Sequence, residues 1–366
     1  MRIALLGDIG LLGAYSLTLN PKLIEQLKEI TEFLHNFDLV IGNLETPFSD
    51  EKKICGAKSA YICTDSVNVT VLKALHIDAV TIANNHMFDY GKEAFNTTLA
   101  LLDKVGIAWF GANGKDLKIE LKGNRLVFNG FCCYSTNPLN ISSKYGKYGI
   151  NRFNVGEVAA LIQQNHNAGL LNIIAVHSGI EHVNFPSIEQ IKVSHMLGNV
   201  APYLWYGHHP HVIQGIERYK DSIIAHSLGN FCFAGNTNDK NRPVIELSEN
   251  NRRGIILEIE IQNNKLISFN PVSTYIGQDG HISIIKNNSA INEFSDYLKT
   301  ALSDTERYIN VRTKQRSEYL KTRRVLRDFK WVIKRLKPRY VKLLYDYRLN
   351  AKKYRENVIS FLNKKL

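Results

Sequence analysis

Nowhere in the 366 residues does an apolar run reach the roughly 18–20 residues that a membrane-spanning helix needs. The opening MRIALLGDIGLL is apolar but short, and Asp8 interrupts it. It has no small-residue cleavage site after it, so it reads as a buried strand and not a signal peptide. Cysteine is scarce: five residues, at 55, 63, 132, 133 and 232, an odd number with neither disulfide nor metal spacing. That excludes a disulfide-stapled scaffold, and it fits a reducing cytoplasmic compartment. Adjacent Cys132 and Cys133 lie in an apolar run and read as reduced packing residues. Internal repeats and low-complexity segments are also missing, which excludes a repeat array.

Basic charge is missing from most of the chain. The net charge is +12, yet residues 301–366 hold 20 of the 46 Lys and Arg against 6 of the 34 acids, a surplus of 14. Residues 1–300 stand at −2, the balance of an ordinary soluble domain. With 44% hydrophobic residues, the chain can bury a sizeable core.

Short β-branched runs alternate with helical patterns through the first part of the chain. Strands are expected at 2–7, 38–42 and 78–83, and in the runs IAWF, LVFNGFCCY, NIIAVH, YLWYG and SIIAHSLGN. Helices are expected at 21–36, at 67–76, from Gly91 to a C-cap at Gly106, near 156–166 and near 187–198. Residues 254–269 read as a hairpin around Asn263-Asn264. The polar run 236–253 reads as a surface loop. This alternation over about 230 residues indicates a layered α/β domain. After residue 288 the pattern turns helical, so the expected division is a domain at 1–287 and a basic helical extension at 288–366. Within the extension, Val325, Leu326, Phe329, Val332, Ile333 and Leu336 form one apolar face before Pro338 breaks the helix.

The residues just past each strand are more informative than the strands. Asp8 comes after the first, Asn43 and Glu45 after the second, and Asn84-Asn85-His86 after the third. His177 comes after NIIAV, and His208, His209 and His211 after YLWYG. In an open α/β sheet the carboxyl ends of the strands face one crevice, and ligands bind there. Taken singly, each residue has a plainer reading. Asp8 could cap a helix, Asn84-Asn85 could make a turn, and His177 could be a hydrogen-bonded core histidine. Together they bring carboxylates and neutral imidazoles to one place, a donor set suited to Mn²⁺, Fe²⁺ or Zn²⁺.

The ordered motifs GDIG, GNLETPFS, ANNHMFDYG, GIAWFGAN, HSGIEH, GHHPHVIQG and SLGNFCF resemble the CapA capsule-synthesis (poly-γ-glutamate biosynthesis) family. That family is similar to the calcineurin-like metallophosphoesterases. The resemblance covers roughly residues 1–280. It implies a four-layer α/β/β/α sandwich holding one or two divalent metal ions at the strand ends. By position it implies Asp8, Asn85, His177, His209 and His211 as metal ligands, and His86 as the histidine that approaches the scissile group. His208 falls at a variable position. Two residues depart from the phosphoesterase pattern: Gly10 stands where a histidine is usual, and Asn43 where a bridging aspartate is usual. Glu45, two residues on, is placed to bridge instead.

The expected chemistry is metal-dependent hydrolysis or transfer on an anionic polymer or a phosphoester. His86 is the acid or transition-state stabiliser, Asp89 orients it, and Glu181 is either a partner of His177 or a plain surface acid. Two other readings stand beside it. One is a non-catalytic scaffold or polymer-binding component of a surface-polymer assembly. The other is a nucleic-acid or small-phosphoester phosphoesterase, disfavoured because the tail carries no nucleic-acid motif. The basic extension is expected either to pack on the domain or to contact an anionic surface, such as the inner face of the membrane.

Overall fold

The computed structural model describes residues 1–50, 60–133, 136, 148–237, 243–245, 247–325 and 338–364. Two sheets stack face to face, and alternation along the strands shows why. On β1 (Arg2–Gly10), Ile3 and Leu5 point into one cluster while Ala4 and Leu6 point into another. Successive side chains leave a strand on opposite sides, so an unbroken apolar run is a strand buried on both faces.

The first sheet takes β1 at its centre. To one side run β2 (Leu39–Leu44), β3 (Ala79–Thr81) and β4 (Ala108–Phe110), all parallel. The second sheet has the order β5 (Leu117–Leu121), β6 (Asn124–Cys132), β7 (Leu171–His177), β8 (Tyr203–His208), β10 (Ser222–Ala225), β9 (Ile216–Tyr219). Its β6, β7, β8 and β10 are parallel. On the other side of β1 two strands share the edge. β11 (Asn230–Phe233) pairs in parallel with its last residues and β14 (Arg253–Gln262) antiparallel with its first. β15 (Lys265–Ile276) and β16 (Ile282–Ile285) complete that sheet. The β14–β15 turn is Asn263-Asn264, both at positive φ (52° and 59°), as a tight hairpin requires.

Four helices cover the outer face of the first sheet: α1 (Leu23–Gln26), α2 (Lys28–Leu34), α3 (Val69–Ala74) and α4 (Gly91–Val105). The single helix expected over 21–36 is thus two, parted at Leu27. Gly106 ends α4 at φ 75°. Across the sandwich, α5 (Val155–Asn167) and α6 (Ile188–Val200) pack on the second sheet through Val158, Ile162, Val193 and Leu197. Side chains from both inner faces meet between the sheets, Leu5 and Ile41 with Phe128, Ile173 and Leu204. The order is helices, sheet, sheet, helices: the four-layer α/β/β/α sandwich.

The run 236–253 is not a simple loop. Asn236–Thr237 (β12) pairs with Pro243–Ile245 (β13), and a 3₁₀ turn at Glu249–Arg252 buries Asn251. The helices after residue 288 pack on the sandwich. α7 (Ser289–Thr300) puts Ile291 into the core between the sheets. α8 (Thr305–Val325) lays Tyr308, Val311, Arg312, Gln315 and Tyr319 along the loop after β7, an i, i+3, i+4, i+7, i+11 stripe. α9 (Pro338–Lys364) sets Tyr354, Val358, Phe361 and Leu362 against the cluster under α5 and α6. The apolar face expected at 325–336 lies outside the described side chains. Among the described residues, no helix is long and apolar enough to cross a membrane.

Candidate metal centre

Parallel pairing brings the site together. β1 and β2 are in register at Asp8 and Asn43, and Glu45 comes next with its backbone N–H on the Ile9 carbonyl at 2.8 Å. On the opposing sheet, β7 and β8 are in register at His177 and His208. Both sets of strands end on the same edge of the sandwich. Gly7 allows close approach of the turn before β11: a Cβ there would lie 2.2 Å from the Gly229 carbonyl oxygen. The Asp8 N–H bonds that carbonyl at 2.9 Å, which sets Asn230 beside Asp8.

Asp8 is the most heavily contacted acid. Its Oδ1 accepts from Asn43 Nδ2 at 2.8 Å and lies 3.1 Å from His208 Nδ1. Its Oδ2 lies 3.3 Å from His211 Nδ1 and accepts from the His209 N–H at 3.3 Å. Glu45 contrasts with it. The side chain is fully buried, and neither oxygen has a hydrogen-bond partner among the described residues. Three imidazoles surround it instead: His211 Nε2 at 3.4 Å, His86 Nε2 at 3.8 Å and His177 Nε2 at 3.9 Å from Oε1. One ligand atom from each of Asp8, Glu45 and His211 falls within 4.8 Å of the others. His177 Nε2 is 2.7 Å from Asn85 Oδ1. His86 Nδ1 is 2.6 Å from Asp89 Oδ2, which also accepts from the Ile62 N–H.

The turn HHPH is bent hard. His209 has φ 97° and His211 φ 56°, a region that non-glycine residues enter at a cost of order 1–3 kcal/mol. The bond from His209 N–H to Asp8, and that from Asn251 Nδ2 to the His211 carbonyl (2.8 Å), hold the turn in place.

Burial and charge pull the groups of the pocket in opposite directions. Burial pushes the Asp8 carboxyl up, but hydrogen bonds and charge from His208 and His211 outweigh it and hold it well below the carboxylate range. Burial also disfavours the His211 cation, yet Glu45 and Asp8 raise that imidazole well above its usual value. His177 is driven well below its usual range, first by burial and then by His209. His209 falls to about 4 through burial, with the charge of Glu181 pulling the other way. Two buried carboxylates, Asp8 and Glu45, with imidazoles around them form a donor set that a divalent cation would satisfy in place of the proton on His211. The residues present therefore fit a metal.

The structure brings together Asp8, Glu45, Asn85, His86, Asp89, His177, His209 and His211. Asn43 faces Asp8 as a donor. Glu181, which sequence offered as a partner for His177, instead approaches Tyr319 on α8, whose hydroxyl donates to Oε2 at 3.5 Å. The residues between β7 and α6 form no helix, so four-residue spacing from His177 does not bring Glu181 back to it. The sequence offers Asn230 as a strand-end residue without a role, and its Oδ1 is 2.9 Å from His211 Nδ1; it gives no sign of Asn251, whose Oδ1 is 3.0 Å from His182 Nδ1. Asn230 comes after the run SIIAH, a strand-end position like those of the other candidates. Asn251 sits in a polar stretch with no such signal.

Comparison with known proteins bears on this geometry. The chain is 26% identical over 264 residues to the capsule biosynthesis protein CapA of Bacillus anthracis, covering 69% of this chain and 64% of that protein. It is 28% identical over 204 residues to the PGA biosynthesis protein CapA of Bacillus subtilis (strain 168), covering 54% and 53%. It thus spans less than two thirds of the length of each of these relatives. The 5'-nucleotidase precursor of Thermus thermophilus overlaps 85% of this chain and 59% of its own at 12% identity. Its TM-score of 0.42 is too low to carry an argument. The model of the bacterial capsule synthesis protein PGA_cap family matches residues 2–235, the segment that holds all eight residues of the cluster, and the chain belongs to that family.

Proposed function

We propose that this protein is a metal-dependent hydrolase or transferase in the biosynthesis of a capsule or related anionic exopolymer, of the poly-γ-glutamate type. The observation that carries the reading is Glu45, a buried carboxylate with no hydrogen-bond donor on either oxygen among the described residues, ringed by three imidazoles beside Asp8. The names of the two CapA relatives supply the biological setting. Asp8, Glu45, Asn85, His177, His209 and His211 would hold one or two divalent ions of the Mn, Fe or Zn type. Such an ion, when bound, supplies a Lewis acid for a substrate oxygen and lowers the pKa of a water.

The chain's own residues do the rest. Asp89 Oδ2, 2.6 Å from Nδ1 of His86, accepts a hydrogen bond from Nδ1–H, which leaves Nε2 as the atom that exchanges a proton with substrate. Nε2 faces the cluster, 3.8 Å from Glu45. Asn43 donates to Asp8 and fixes its carboxylate without adding charge. Asn84 accepts the His86 N–H and donates to the Leu44 carbonyl, tying the third strand end to the second.

A second reading, a non-catalytic polymer-binding component, draws on Asn43: a neutral amide stands where the phosphoesterase pattern has a bridging carboxylate. One experiment separates the two. The full chain is loaded with Mn²⁺ or Zn²⁺ and assayed against a panel of phosphoesters and γ-glutamyl peptides, beside His86→Ala. Metal-dependent turnover that His86→Ala lowers while metal stays bound supports the enzyme. Metal-independent polymer binding with no turnover supports the scaffold.

A further inference from the structure

Among the described side chains, helix α9 docks through one face of its second half, while Tyr347 in its first half is 39% exposed. Tyr354, Val358, Phe361 and Leu362 point inward to the α5–α6 layer, and Asn357 bonds the Val155 N–H at 3.1 Å. The opposite face carries Val341 (60% exposed), Tyr345 (66%), Leu349 (37%) and Ile359 (47%). Steps of four, four and ten residues bring all four to one side of a helix. Lys342, Arg348, Lys352 and Arg355 are exposed on or beside the same line. The described acid within it is Glu356, 3.7 Å from Lys352.

We propose that this face of α9 is a docking surface for an anionic lipid bilayer. Three physical points select that occupant. An acidic polymer in water is met by cations alone, and gives no reason to expose four large apolar side chains. A second copy of the chain, paired about a two-fold axis, would set each row of cations against its own image. An anionic bilayer meets both features at once. The apolar line enters the headgroup boundary, while the Lys and Arg stems lie along it and keep their charges at the phosphates. The inference does not depend on the chemistry at the strand ends.

The test is co-sedimentation of the full chain with phosphatidylcholine vesicles, with and without one quarter phosphatidylglycerol, over a range of salt. Two variants accompany it: Val341→Ser/Tyr345→Ser/Leu349→Ser, and Lys342→Glu/Arg348→Glu/Arg355→Glu. All these positions are exposed, and circular dichroism with a melting curve checks that each variant folds as the parent does. The expected result is binding to the anionic vesicles alone, weakened by salt and reduced on the order of 100-fold or more by the charge variant. Each basic residue near an anionic surface contributes a factor of about five. The apolar variant loses binding as well. Equal binding to both vesicles, binding that either variant retains, or no binding at all overturns the proposal. So does displacement from vesicles by soluble polyglutamate, or a dimer in sedimentation velocity that the apolar variant abolishes.

Discussion

A carboxylate with both oxygens out of water and no donor carries an effective penalty of several kcal/mol, unless a cation lies beside it. Among the described residues neither oxygen of Glu45 has a hydrogen-bond donor; His211, which Glu45 and Asp8 raise, stands beside it as the cation, while burial drives His177 well below its usual range. A divalent ion at one hundred times its dissociation constant should stabilise the chain by about 2.7 kcal/mol. Glu45→Gln should lose most of that shift, as read from melting curves with and without Mn²⁺ or Zn²⁺. An undiminished shift would place the ion elsewhere. His86→Ala makes the opposite expectation: metal stays bound, and turnover of whichever substrate the panel yields falls by about 10²–10⁴. Unchanged turnover would make His86 structural. At this scale, what sequence disclosed and what it hid have one cause. Asp8, Glu45, His177 and the HHPH turn stand out because each comes after an apolar run at a strand's carboxyl end. Asn251 stayed hidden because an asparagine in a polar run looks like any turn residue, and only tertiary structure brings it to the His211 carbonyl.

Among elements, α8 and the β9–β10 edge yield predictions. The α8 stripe holds the loop after β7 by several contacts. The Asn184 N–H donates to Gln315 Oε1 at 2.9 Å, Arg312 Nε donates to the Phe185 carbonyl at 3.1 Å, and Tyr319 stacks on His182 with ring centroids 4.5 Å apart. That loop carries Glu181, whose charge acts on His209. Gln315→Ala with Tyr319→Ala should speed amide exchange in residues 178–186 roughly tenfold, since a hydrogen bond is worth about 1 kcal/mol. Buried Tyr308 should keep α8 docked meanwhile. Exchange confined to parent rates would show that α8 is not what holds the loop.

Glu217 on β9 lies 2.9 Å from His195 Nε2 on α6 and 3.8 Å from His226 Nε2. Burial raises its carboxyl, but the two histidines prevail and take it from 4.5 to about 2. A depressed carboxyl stabilises the fold above its unfolded value, and that contribution fades as pH falls from about 4.5 through about 2. Glu217→Gln should therefore destabilise by about 3 kcal/mol near pH 5, with the difference from the parent shrinking in stronger acid. A constant difference would mean that the loss is one of packing. The periodicity of 21–36 was legible as apolar spacing, but the break at Leu27 was not. A helix that restarts within one residue keeps the same stripe on the core.

For the whole molecule, the layered α/β character was visible in strand–helix alternation, while the number of layers came from the family resemblance; β1, buried on both faces, shows how two sheets stack. The placement of α7 was not visible in the sequence. The change of pattern at 288 marks a shift in composition; beyond it Ile291 is buried between the sheets, and α8 and α9 dock through Tyr308 and Val358. A count of charge cannot reveal which face of a basic helix is inward. The central claim is that the ends of parallel strands from two opposed sheets build one cation site. Metal analysis of the purified full chain, beside His177→Ala and the double change His209→Ala/His211→Ala, tests it most directly. The account predicts one or two equivalents of a divalent transition metal in the parent and the loss of at least one in each variant. A parent chain that binds no divalent metal at micromolar concentration would contradict it.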